Sequence, residues 1–290
     1  MFVNLNSPLQ QLKHPLRKSI VVKRDDLIDP YISGNKWRKL KYTVEEARIQ
    51  EKKHLVTFGG AYSNHLVAAA AACARTGLKC TGFVRGEQVD NELLMLCRLY
   101  GMHLIFTERT EYKEKRVLFE KHFGLDHDAF FVDEGGAGPL AVKGCAELVD
   151  ELPNDTDHIF CAAGTGTTAA GLLKGVQQSG RKTKIHVIPV LKGGAFIADE
   201  IAGYTGNIDQ LVLHTGYHFG GYAKTNPELI AYIKRFTAEE GMLIDPVYTA
   251  KMFFAIDDLI SQNYFGENDR IIAIHTGGLL GILGMKEKFS

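Results

Sequence analysis

The segment Gly34-Asn-Lys-Trp-Arg-Lys39 places Lys36 and Lys39 three residues apart, where a loop enters a stretch with helical spacing. Basic side chains at a helix start oppose the macrodipole, which is unfavourable unless an anion lies nearby. Taken alone, the segment reads as a solvated basic face. A lysine crowded by Arg38 and Lys39 and withdrawn from water would instead have a lowered pKa, which suits its neutral amine to attack a carbonyl. In Phe58-Gly-Gly-Ala-Tyr-Ser-Asn-His65, Ser63 precedes an alanine-rich helix and is expected to cap it. Asn64 and His65 add donors beside the free amides of that first turn, a setting that suits a carboxylate or a phenolate oxygen. Asp245-Pro-Val-Tyr248 begins another helix, where Asp245 either caps or acts. Tyr248 and Tyr222 either pack or line a site.

Two other glycine-rich junctions, Asp133-Glu-Gly-Gly-Ala-Gly138 and His275-Thr-Gly-Gly278, resemble tight turns when taken singly. The most informative junction is Ala162-Ala-Gly-Thr-Gly-Thr-Thr168, which follows an apolar strand and opens a helix. There the hydroxyls of Thr165, Thr167 and Thr168 and the amides around Gly166 could converge on a phosphate-sized anion. Gly164, Gly166 and Ala169 also fit the dinucleotide pattern G-x-G-x-x-A, which expects an acid after the next strand to hold a ribose. That strand ends in Leu191-Lys-Gly-Gly, so a nicotinamide dinucleotide is the weaker reading.

The elements that must position these residues alternate. Short apolar runs read as buried strands at 19–23, 54–58, 80–84, 103–107, 130–132, 158–162, 184–190, 210–214 and 270–275. Helical spacing appears at 37–50, 64–75, 91–100, 141–151, 168–178, 227–239 and 247–261. The fold class expected is α/β: two open twisted, mainly parallel sheets with helices on both faces and the ligand between two domains. The polar, proline-containing stretch 150–157 suggests a boundary. The division expected, which rests partly on the family resemblance given below, is a smaller domain at 41–150 and a larger one formed by 1–40 plus 151–290.

The 290 residues carry 34 basic and 34 acidic side chains, which leaves no global field to draw nucleic acid or anionic lipid. No apolar run approaches the ~18 residues of a membrane span. The start lacks the pattern of a secretory signal, so a cytoplasmic location is expected. The five cysteines are widely spaced, with no two at metal-binding separation, and read as small buried hydrophobes. No metal site is expected.

The ordered motifs Lys-Arg-Asp-Asp (23–26), Gly-Asn-Lys-Trp-Arg-Lys (34–39), Gly-Gly-Ala-Tyr-Ser-Asn-His (59–65), Thr-Gly-Thr-Thr (165–168), Asp-Pro-Val-Tyr (245–248) and His-Thr-Gly-Gly (275–278) extend over nearly the whole chain. Together they resemble the D-cysteine desulfhydrase and 1-aminocyclopropane-1-carboxylate (ACC) deaminase family, pyridoxal-phosphate (PLP) enzymes of the tryptophan synthase β type (fold type II). The resemblance implies that Lys36 carries PLP covalently. Lys39, Thr165, Gly166, Thr167 and Thr168 would bind its phosphate, Asn64 its phenolate oxygen, and Thr276 would approach its pyridine nitrogen. Ser63 and the amides of Asn64 and His65 would hold the substrate carboxylate, with Tyr222 and Tyr248 lining the substrate side. Lys36 would remove the α-proton, with Ser63 or Tyr248 as alternatives.

In the same pattern, ACC deaminases have glutamate and leucine where this chain has Thr249 and Thr276. The two threonines resemble the desulfhydrase branch and imply α,β-elimination from a small D-amino acid such as D-cysteine. ACC ring opening is the alternative. Gly-Tyr-Ala-Lys (221–224) departs from the family's Gly-Tyr-Gly. A homodimer is the expected assembly.

Overall fold

Strands buried on both faces read as near-continuous apolar runs, and that composition dictates the two sheets of the computed structural model, which describes residues 6–290. The smaller sheet contains β3 (His54–Gly60), β4 (Lys79–Arg85), β5 (Met102–Thr107) and β6 (Ala129–Phe131). Its strand order is β5-β4-β3-β6, parallel throughout. The larger sheet contains β1 (Leu9–Gln11), β2 (Ile20–Lys23), β7 (His158–Ala163), β8 (Lys184–Pro189), β9 (Leu211–Leu213) and β10 (Ile271–Ile274). Its order is β1-β2-β10-β7-β8-β9, with only the β1–β2 pair antiparallel.

Nine α-helices cover the sheets among the described residues: α1 (Asn35–Ile49), α2 (Asn64–Thr76), α3 (Glu92–Leu99), α4 (Lys115–Phe123), α5 (Pro139–Ala146), α6 (Thr167–Gln178), α7 (Ile197–Thr205), α8 (Pro227–Glu240) and α9 (Thr249–Ser261). Alternation along β7 shows how the larger sheet feeds two cores. Phe160 and Ala162 pack with residues of α8 and α9, while Ile159 and Cys161 pack with residues of α6 and α7. The smaller sheet likewise meets α2 and α3 on one face and α4 on the other. All five cysteines are buried and unpaired.

The expected fold class is the one observed. Three elements were not anticipated. The edge strand β1 has only three residues, α4 is largely charged with Leu118 and Phe119 as its buried pair, and α7 is short and contains Gly203. Helix α5 ends at Ala146, and Glu147–Glu151 continues as a 3-10 turn. The division at 41–150 remains a proposal. The small sheet lies inside that range and every strand of the large sheet outside it, while position 41 falls within α1.

The seat of α1 is the feature that matters most for chemistry. Gly34, with φ of 59°, precedes the helix, and a Cβ there would fall 1.9 Å from Thr276 O, so only glycine fits. The amide of Asn35 donates to that same carbonyl at 3.2 Å, tying the helix start to the exit of β10. Behind the helix, the Arg38 guanidinium donates to both carboxylate oxygens of Asp25 at 2.6 and 2.8 Å. It also donates to both oxygens of Glu151 at 2.7 and 3.0 Å. Lys23 reaches Glu151 at 2.5 Å, and Ser7 Oγ donates to Asp25 at 2.6 Å. The Lys-Arg-Asp-Asp motif is therefore largely a structural ion network.

Candidate active site

Helix periodicity turns residues 36 and 39 to one side of α1 and residue 38 to the other. Arg38 accordingly does not crowd Lys36; it is held in the network behind the helix. Lys36 and Lys39 instead project to the front, where both lie close to one backbone oxygen. Lys36 Nζ is 3.4 Å and Lys39 Nζ 3.2 Å from Gly135 O. Among the described residues, neither lysine has a carboxylate within ion-pairing distance. Burial, reinforced by the charge of Lys39, pushes the Lys36 amine well below the usual lysine range. Burial lowers Lys39 as well.

The glycine-rich junction at 133–138 thus supplies a shared acceptor for the two amines. It also links them to the threonine turn, because a Cβ on Gly135 would lie 3.7 Å from Thr165 Cγ2. A second link is direct: Asn35 Nδ2 donates to Thr168 Oγ1 at 2.9 Å. Gly166 sits at the N-cap of α6 with φ of 75°, which suits glycine, and the first-turn amides of α6 have no intrahelical acceptor. The hydroxyls of Thr165 and Thr167 lie 3.1 Å apart. Thr167 and Thr168 are buried. Amides, hydroxyls and the helix dipole therefore meet two lysines that lack counter-ions, which is the donor set of an anion site.

On the facing side, Ser63 caps α2 as its sequence position suggests, accepting from the Leu66 amide at a long 3.4 Å. Asn64 opens that helix beneath the exit loop of β10, where a Cβ on Gly278 would lie 2.9 Å from Asn64 Nδ2. Thr276, on the same loop, is buried. The His65 imidazole has a definite tautomer. Thr57 Oγ1 donates to Val132 O at 3.0 Å, so at 2.8 Å it must accept from His65 Nε2–H. His65 Nδ1 is then a bare acceptor, buried and without a partner among the described residues. Burial and the charges of Lys36 and Lys39 keep the ring neutral.

The two tyrosines close the remaining side. Tyr248 packs against Gly164, whose Cβ would lie 3.3 Å from the phenol oxygen. The Tyr222 ring meets Tyr248 edge-on, with centroids 6.1 Å apart. Tyr222 is 45% exposed, contrary to the buried role considered for it. Burial raises Tyr248 well above the usual phenol range, so its hydroxyl stays protonated. Asp245 acts as a cap, accepting from the amides of Val247, Tyr248 and Thr249, which delays the start of α9 to Thr249. Thr249 Oγ1 is fully engaged with Asp245, accepting from its amide and donating to its carboxylate, each at 2.8 Å.

All twelve expected residues thus fall on helices and loops bordering this region. Reading by side chain missed Gly135, which contributes a carbonyl, and Asn35 and Thr57, which position their neighbours. The glycine pair at 135–136 was the available signal for the first. Thr57, inside an apolar strand, gave none.

Comparison with known proteins gives the family. A family model described as "Pyridoxal-phosphate dependent enzyme" matches residues 3–277. D-cysteine desulfhydrase of Yersinia pestis is 28% identical, covering 93% of this chain and 89% of that protein. The bifunctional D-cysteine desulfhydrase/1-aminocyclopropane-1-carboxylate deaminase of Arabidopsis thaliana is also 28% identical, over 90% of this chain and 72% of its own. A crystal structure of an ACC deaminase homologue superposes with a TM-score of 0.85 at 27% identity, covering 100% of this chain and 94% of that one. The donor set fits PLP on the structure's own terms. Two buried amines without counter-ions lie beside a hydroxyl-lined helix start suited to a phosphate.

Proposed function

The chain belongs to the pyridoxal-phosphate dependent enzymes, and from that premise we propose that it eliminates the β-substituent and the amino group from a small D-amino acid. D-cysteine plus water would give pyruvate, ammonia and sulfide. The observation that carries this reading is the pair of lysine amines without counter-ions, held at Gly135 O and linked through Asn35 to Thr168.

Bound PLP supplies an electron sink for negative charge developing at the carbon next to the amino group. The protein's part follows from its residues. Lys36 would attach the cofactor, while Lys39 and the Thr165–Thr168 turn would bind its phosphate. Asn64 would hold its phenolate oxygen and Thr276 would serve its pyridine nitrogen. Ser63 Oγ and the amides of Asn64 and His65, at the positive end of α2, receive the substrate carboxylate. With its proton affinity lowered by burial, Lys36 is suited to take the α-proton. Tyr248, held protonated, suits the different task of donating a hydrogen bond to the departing sulfur, with the Tyr222 ring packed edge-on against it. That makes Tyr248 a poor alternative base.

Choosing D-cysteine over ACC rests on Thr249. A threonine here offers no carboxylate to keep the pyridine nitrogen protonated, and its hydroxyl is committed to Asp245. A weaker sink is adequate for expelling a thiol, whereas opening a cyclopropane demands more. A cytoplasmic homodimer is part of the same proposal; among the described residues no helix is long and apolar enough to cross a membrane.

The test is to incubate the PLP-loaded protein separately with D-cysteine, L-cysteine and ACC, measuring sulfide, pyruvate and 2-oxobutanoate. Sulfide and pyruvate from D-cysteine are expected. 2-Oxobutanoate from ACC without sulfide from D-cysteine would make ACC the substrate instead.

A further inference from the structure

The segment carrying Tyr222 has a backbone that its residues do not favour. Phe219 (φ 50°), Gly220 (91°), Gly221 (121°) and Ala223 (54°) all lie in the left-handed region, and two of the four are not glycine. Such a run persists only when its surroundings hold it in place. The hold comes from Lys251 on α9, three residues after Tyr248 and fully buried. Its Nζ donates to His218 O and Gly221 O, both at 2.8 Å, and lies 3.4 Å from Val190 O. An ammonium has three donors and here meets three carbonyls. Among the described residues no carboxylate is within ion-pairing distance of it, so Lys251 is not half of a salt bridge.

We propose that Lys251 is a positioning residue whose ammonium ties α9 to the exit of β8 and to the Tyr222 segment, fixing Tyr222 against Tyr248. The consequence for catalysis rests on reading those tyrosines as substrate contacts. The tie itself does not. Loss of one proton leaves two donors and a lone pair facing three carbonyls, a weaker clamp. Burial brings the Lys251 pKa down to about 8, against the opposing charge of Asp245, which precedes α9. The other titratable groups around the clamp are His218, whose Nδ1 accepts from the Gly220 amide at 3.0 Å, and Tyr217, which donates to Asp258 of α9 at 2.7 Å. Lys192 follows β8 beside Gly221, and Lys224 follows the segment.

Hydrogen exchange on the PLP-loaded protein, without substrate, tests the tie. In Lys251→Met, protection of amides 218–224 relative to those of α6 should fall roughly tenfold or more, as loss of a charge-assisted hydrogen bond entails. Cofactor absorbance should stay unchanged. KM for D-cysteine should rise by a similar factor, with kcat moving far less. In the wild type, the same protection ratio should fall as pH passes from 7 to 9, a measurement that stands if the variant does not fold. Unchanged protection in a folded Lys251→Met protein, or a flat ratio in the wild type, overturns the proposal. Lowered protection with KM unmoved upholds the tie and overturns the placing of Tyr222 at the substrate.

Discussion

The two sides of α1 use buried positive charge in opposite ways. Behind the helix, Arg38 and Lys23 are matched by Asp25 and Glu151, and the guanidinium satisfies two carboxylates in bidentate fashion. In front, half-buried Lys36 and buried Lys39 share one carbonyl. A matched set is a structural joint: removing one member leaves an uncompensated charge. The unmatched pair burdens the empty protein and is relieved when an anion arrives. The helix is anchored on one side so that the strained chemistry on the other keeps its geometry.

Four experiments break or sharpen that contrast. The largest effect is expected for Lys36→Ala, which should cut turnover of the loaded enzyme by roughly 10²–10⁴-fold, the range for a positioned acid–base group. The same change should leave the unloaded protein as stable as before, or more so, in a urea titration. Marked destabilisation would place Lys36 with the structural set.

Arg38→Met should do the reverse. It strands buried Asp25, so denaturant unfolding should show a loss of about 3–5 kcal/mol. Lys39→Gln removes one charged donor, and fluorescence titration should show PLP affinity falling roughly ten- to a hundredfold. Stability of the unloaded protein should not fall with it.

The smallest effect separates the two sides by pH. Burial alone would raise Glu151, but the hydrogen bonds from Arg38 and Lys23 and their charges override it and leave it below the usual range. A depressed carboxylate gives stability that is present above its unfolded pKa, about 4.3, and is lost as pH falls through the folded value. Lys36 and Lys39 are depressed too, so the unfolded chain binds more protons between their folded values and the unfolded value of about 10.4. Their burden is full at low pH and lifts as pH rises through that window. Thermal melts should show Glu151→Gln flattening the acid limb. Saturating phosphate should flatten the alkaline gain.

The sequence announced the sheets because parallel strands covered on both faces must be largely apolar, as β7 and β8 are throughout their buried length apart from His158 and His186. It concealed α4, whose charged face outweighs two buried residues, and β1, whose three residues carry no periodicity. At the site, lysines, hydroxyls and glycine turns have recognisable side-chain chemistry. The carbonyl of Gly135 does not, since any residue has one. The expected crowding of Lys36 by Arg38 failed on a rule readable in advance: residues two apart on a helix do not share a face. Thr57 set the His65 tautomer from a strand 75 residues before the carbonyl to which it donates, a pairing that only the fold reveals.

Because β10 lies between β2 and β7, the first and last parts of the chain are neighbours at the middle of the larger sheet. A nascent polypeptide emerging from the ribosome can complete the four strands between residues 54 and 131 early. The earlier strand β2 must wait until residues 271–274 emerge before its inner partner exists. Until then Thr276 is absent, Gly34 has nothing to press against, and the Asn35 amide lacks the carbonyl that seats the start of α1.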